Sequence, residues 1–189
     1  MADKYTKVDP RIHPLTIASV VAFFVIIFGI IVFTTPSNEQ KIYNAYTLVA
    51  TNDFTEEHPF YEVNYKSGFL GLNRGLTKIL EKEEVVFLYI GDETCESCQL
   101  HIGAFQKYFY SEGVDEVVEH IYYFNPLMDT QSFDLLRAAY PSITATTPQI
   151  IVFKNGEYLN RFAPGSATTT QAINSSVKNF FLDTLGMLE

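Results

Sequence analysis

The chain has 189 residues and a formal net charge of −9, enough for one ordinary globular domain and a further segment. The acidic balance excludes a nucleic-acid interface, which needs a basic face, and argues against docking on anionic lipid headgroups. Two cysteines in the whole chain exclude a disulfide-rich scaffold.

Residues 1–14 hold Lys4, Lys7 and Arg11 against Asp3 and Asp9, and read as a short cytoplasmic tail. Residues 15–35, "LTIASVVAFFVIIFGIIVFTT", carry no charge and are bracketed by Pro14 and Pro36. At the helical rise they span about 31 Å, the hydrocarbon thickness of a bilayer. They read as a single-span anchor. A cleaved signal peptide, the rival reading, has a shorter apolar core and a small-residue cleavage site, and "FTTPSNEQ" is a poor one. Only Lys41 follows the span before residue 60, so the rest of the chain is expected outside the cytoplasm.

Residues 36–58 are polar and mixed and read as a juxtamembrane linker, partly helical around 40–49, before a domain over 59–189. "FYEVNY" (60–65) alternates like a strand. "NRGLTKILEKEE" (73–84) has helical spacing, with Asn73 as its cap. "VVFLYI" (85–90) is apolar on both faces, as a central buried strand is.

Cys95 and Cys98 follow at once, at the start of a helix with Leu100, Ala104, Phe105, Tyr108 and Phe109 inward until Gly113. "HIYYFN" (120–125) reads as a strand, 130–140 as a helix and "PQIIVF" (148–153) as a strand. Asn155-Gly156 is a hairpin signal leading into "YLNRFA" (158–163). Residues 168–185 form an amphipathic helix with Ile173, Val177, Phe180 and Phe181 inward. Parallel crossovers followed by a hairpin predict an α/β fold, a mixed sheet with helices on both faces.

The chemistry sits where the central strand gives way to a helix. There Cys95 faces unpaired N–H groups and the positive end of the helix dipole, which favour a thiolate. Cys98, one turn on, can resolve a mixed disulfide. A strand-CxxC-helix context is the one in which this motif reads as redox chemistry. Asp92, Glu93 and Glu96 oppose negative charge on Cys95, so Glu96 is read as modulating.

Two other readings compete. A structural disulfide would close a very small loop and stabilise little. A metal site from Cys95, Cys98 and His101 lacks a fourth ligand for zinc; His120 is the nearest candidate and nothing places it there, so no metal and no cofactor is expected. His101 itself reads first as an exposed helix residue and second as a proton shuttle near Cys98.

The runs "FLYIGDETCESC" and "TTPQIIVFKNGEYLNRFAPG", followed by the last helix, resemble the thioredoxin-fold thiol–disulfide oxidoreductases over about residues 73–185. Within them, "YIG" running into the CxxC resembles the bacteriocin transport accessory proteins of Gram-positive bacteria. The resemblance implies a thioredoxin-like domain behind the transmembrane helix, with Cys95 and Cys98 catalytic. It implies that Pro148 is the cis-proline beside them, that the Thr147 backbone pairs with an extended substrate, and that Gly165 keeps the groove open.

The sequence departs from the family in three places. Thr94 stands where a tryptophan usually precedes the first cysteine, Glu96-Ser97 replaces Gly-Pro, and Tyr89 replaces the buried aspartate of reducing thioredoxins. The expected partners are a thiol- or disulfide-containing exported peptide or protein and a redox partner protein. A non-catalytic accessory subunit of an export system is the alternative.

Overall fold

The computed structural model describes residues 13–51, 54–66, 75–166 and 168–189. The chain divides into two units, Met1–Pro36 and Ser37–Glu189. In the first, α1 (Pro14–Thr34) has no buried residue and is long and apolar enough to cross a membrane. The His13 ring caps it by accepting the Leu15 N–H, and the Thr34 and Thr35 hydroxyls donate back to the Ile30 and Ile31 carbonyls. These bonds satisfy polar groups at the two ends of the helix.

The second unit opens with α2 (Asn38–Tyr46), closed by a capping box in which Ser37 and Gln40 each bond the other's backbone. Then come β1 (Phe60–Glu62), α3 (Leu76–Lys82), β2 (Val85–Ile90) and α4 (Glu96–Ser111). A short 3-10 turn precedes β3 (Ile121–Phe124), α5 (Thr130–Ala139), β4 (Gln149–Lys154), β5 (Glu157–Phe162) and α6 (Thr170–Leu188). The five strands form one sheet in the order β1-β3-β2-β4-β5. β1, β3 and β2 run parallel, and β4 and β5 are antiparallel to their neighbours. The α/β mixed sheet expected from the sequence is the observed one, and its arrangement is thioredoxin-like.

Strand alternation splits the core in two. Phe87 and Tyr89 of β2, Tyr123 of β3 and Ile150 of β4 face a layer with α2, α4 and α6. Leu88, Ile90, Phe124 and Ile151 face α3 and α5. With apolar residues on both faces, β2 and β4 are buried almost throughout. Asn155 and Gly156 take positive φ, 53° and 78°, which makes the tight β4–β5 hairpin that this dipeptide favours.

Two expectations are corrected. Residues 38–46, expected within a linker, are instead packed into the domain through Ile42 and Tyr46, so the compact unit begins at Ser37. Their apolar residues lie four apart on one face of a short helix, a pattern diluted by the polar residues between. The strand expected over 60–65 is shorter, Phe60–Glu62, with one further backbone bond from the Val63 N–H to the Tyr123 carbonyl at 2.9 Å. The expected cap Asn73 lies outside the described residues. α3 starts after Gly75 without a side-chain cap.

Candidate redox site

Cys95 is the N-cap of α4, in extended backbone conformation, and its Sγ accepts the Cys98 N–H at 3.2 Å. That bond satisfies one of the orphan donors of the helix's first turn with sulfur instead of the usual oxygen. From the other side the Thr147 hydroxyl donates to the same Sγ at 3.3 Å, and the Cys95 thiol reaches the Thr147 carbonyl at 3.5 Å. The Thr147–Pro148 bond is cis. Both cysteines are free thiols: Cys95 is half-buried and Cys98 fully buried. Burial, with Cys95 alongside, pushes the Cys98 thiol far up from its ordinary value.

The loop into the motif is fixed by its acids. The buried Asp92 carboxylate accepts from both the backbone N–H and the hydroxyl of Thr94. The Glu93 carbonyl accepts from the Gln99 side chain at 2.7 Å, and its carboxylate from Asn125 at 3.4 Å. Asp92 is therefore committed to the turn geometry that delivers Cys95 to the helix end.

The loop that carries Thr147 is fixed by Gln149, whose side chain is fully buried. Its amide donates to the Thr144 and Thr146 carbonyls, both at 2.8 Å, and its oxygen accepts the Thr144 N–H at 3.2 Å. Arg161 of β5 adds a bond to the Ser142 carbonyl. Sequence reasoning missed Gln149; its one visible signal was an amide at the head of an otherwise apolar strand.

The fold thus brings Cys95, Cys98, Thr147 and Pro148 together. Glu96 sits exposed in the first turn of α4. Gly165 is exposed in open space, and no contact joins it to the thiols among the described residues. His101 is not the exposed residue expected: it is 2% exposed. Its Nδ1–H donates to the Ser97 carbonyl at 2.7 Å, and its ring packs on Phe105 and Phe162. Burial holds it below the ordinary histidine range, hence neutral.

No family model matches the sequence, and no curated protein matches it. Among solved structures the chain is similar to a thioredoxin variant from Halobacterium salinarum, at 14% identity over 77% of this chain and 95% of that one, TM-score 0.37. It is similar to a protein described as having a thioredoxin fold, at 16% identity over 62% of this chain and 93% of that one, TM-score 0.42. A third similarity is to human ERp44 in its zinc-bound form, at 11% identity over 62% of this chain and 29% of that one, TM-score 0.40. The sheet order β1-β3-β2-β4-β5, with helices on both faces, is what makes the domain thioredoxin-like. Among the described residues no cluster of histidine, cysteine and carboxylate has the arrangement of a metal site.

Proposed function

We propose that the chain is a membrane-tethered, extracytoplasmic thiol–disulfide oxidoreductase that acts on exported peptides or proteins through Cys95 and Cys98. One observation carries the reading. The Cys95 sulfur receives the Cys98 N–H and the Thr147 hydroxyl at a helix N-terminus, with the second thiol buried behind it. Two donors and a helix dipole favour negative charge on an accessible sulfur, which is the nucleophile of disulfide exchange.

In the reductive direction the Cys95 thiolate attacks a substrate disulfide, forms a mixed disulfide and releases one substrate thiolate. Cys98 then attacks Cys95. The Cys95–Cys98 bond forms, the bond to substrate breaks, and the second substrate thiolate leaves and is protonated. The dithiol loses two electrons to the substrate; the oxidative direction is the reverse.

α1 supplies the tether, and the cations of residues 1–14 keep the N-terminus in the cytoplasm. The acidic domain attracts a cationic substrate. The bacteriocin-accessory resemblance makes an exported peptide of a Gram-positive cell the substrate class.

A Cys98→Ser chain tests the reading. It is expected to accumulate mixed disulfides on Cys95 in cells, seen as reductant-sensitive bands that Cys95→Ser abolishes. No such adducts, together with normal substrate oxidation in Cys95→Ser cells, would leave only the accessory-subunit role. Direction follows from a redox titration: a potential near about −270 mV places it with thioredoxin and one near about −120 mV with strong oxidants.

A further inference from the structure

A groove of about 700 Å³ opens at the end of the domain away from the thiols. Val85, which begins β2, lines it, whereas Cys95 follows the end of that strand. Glu112, which closes α4, lines it too, whereas Cys95 caps the start of that helix. α4 has 16 residues, so its two ends lie about 24 Å apart.

The floor of the groove is apolar. Val85, Val118, Leu185 and Leu188 are half-buried there, and Val117 stands 45% exposed at its edge. The rim is acidic, with six glutamates against one lysine among the described residues. Glu83 accepts the Tyr122 hydroxyl at 2.7 Å, Glu112 pairs with Lys178 at 3.5 Å, and Glu119 lies 3.6 Å from the His120 ring. The lysine, Lys154, donates to the Leu188 carbonyl at 2.9 Å. Glu84, Glu116 and Glu189 are exposed and have no ion-pair partner among the described residues. Carboxylates gathered around one apolar hollow repel each other until cations come among them.

The walls also restrict the form of the occupant. β2 and β4, whose ends reach the groove, lie inside the sheet and offer no free edge for an extended peptide to join. A helix satisfies its own backbone and can present aliphatic side chains on one face and basic ones beside it.

We propose that this groove docks a cationic amphipathic helix of a partner peptide. Its aliphatic stripe lies on Val85, Val117, Leu185 and Leu188, and its lysines and arginines reach Glu84, Glu116 and Glu189. The site does not depend on the redox reading, and its distance from Cys95 leaves the thiols open while the peptide is held. A second copy of this acidic chain lacks the complementary charge.

The test uses the full chain in non-ionic detergent micelles, with empty micelles subtracted. The probe is a fluorescent, cysteine-free helix of leucine and lysine carrying one benzoylphenylalanine on its apolar face. Glu84→Gln with Glu116→Gln is expected to weaken binding about tenfold at low salt. Glu56→Gln with Asp134→Asn removes as much charge from exposed side chains outside the groove and should leave binding unchanged. Val117→Ser should weaken it about threefold. Photo-crosslinks should map to Val117, Leu185 and their neighbours.

Equal weakening by the two acid pairs overturns the proposal, because the attraction would then belong to the whole surface. Oligolysine binding as tightly as the helix overturns it, since the floor would count for nothing, and so do crosslinks confined to other faces. A dimer of the parent chain that Val117→Ser dissociates would assign the groove to a second copy and overturn it as well.

Discussion

Gln149 does for the Thr147 loop what no local turn residue does, because its amide spans two carbonyls and one N–H at once. Gln149→Ala is expected to cost about 2–3 kcal/mol in urea unfolding, since each lost bond is worth about 1 and leaves a partner unpaired. It should also slow disulfide exchange, because the Thr147 hydroxyl loses its anchor; an unchanged midpoint would count against this role. Neither Gln149 nor His101 was read from the chain in these roles, for different reasons. The partners of Gln149 form a contact that exists only once β4 is in place. His101 could have been found: Cys98, His101, Ile102, Phe105 and Phe109 lie on one helical face, all buried. The stripe read from the sequence ran through Leu100, Ala104, Phe105, Tyr108 and Phe109, because long apolar residues outweighed a histidine one turn from the motif; Leu100 and Tyr108 are only partly buried.

At the scale of elements, α2 is latched by His58. The His58 Nε2–H donates to the Glu39 carbonyl at 2.9 Å and Nδ1 accepts the Phe60 N–H at 3.2 Å, a pattern that only the neutral ring can make. Burial holds His58 and His101 below the ordinary histidine range. The unfolded chain therefore binds protons first as pH falls, so this contribution is full above about pH 6.5 and is lost below it, toward the lowered folded values. Urea midpoints followed from about pH 7.5 to about pH 5 should decline, and less steeply in His58→Gln. The hairpin gives an independent check. Gly156 has φ 78°, and a Cβ there would come within 3.0 Å of the Leu80 carbonyl. Gly156→Ala is expected to cost about 1–2 kcal/mol, read by thermal unfolding. The hairpin was legible because the turn chemistry is local. The helix of α2 was read in part, around 40–49, but its docking was not, because the surface it covers is assembled from β1, β2 and β3.

For the whole molecule, the boundary at Ser37 makes α2 part of the folding unit. Ile42 and Tyr46 are each almost fully buried, which is worth about 3–6 kcal/mol together against about 5–15 for an entire domain. A chain beginning at Ser37 should unfold cooperatively. One beginning at Pro59 should lose a large share of its stability, and equal unfolding midpoints for the two would contradict that. The central strands and the position of the CxxC were readable because periodicity and motif are written locally, whereas the core layer in which the Tyr46 hydroxyl meets those of Tyr89 and Tyr123 joins residues far apart in the chain. That layer also gives the protein an optical property. With no tryptophan present to drain their excitation, the 12 tyrosines emit on their own account. Tyr46, Tyr89 and Tyr123, whose hydroxyls meet in the core layer that also holds Cys98, are expected to lose emission when a disulfide forms there, so tyrosine fluorescence would follow the chain's oxidation state.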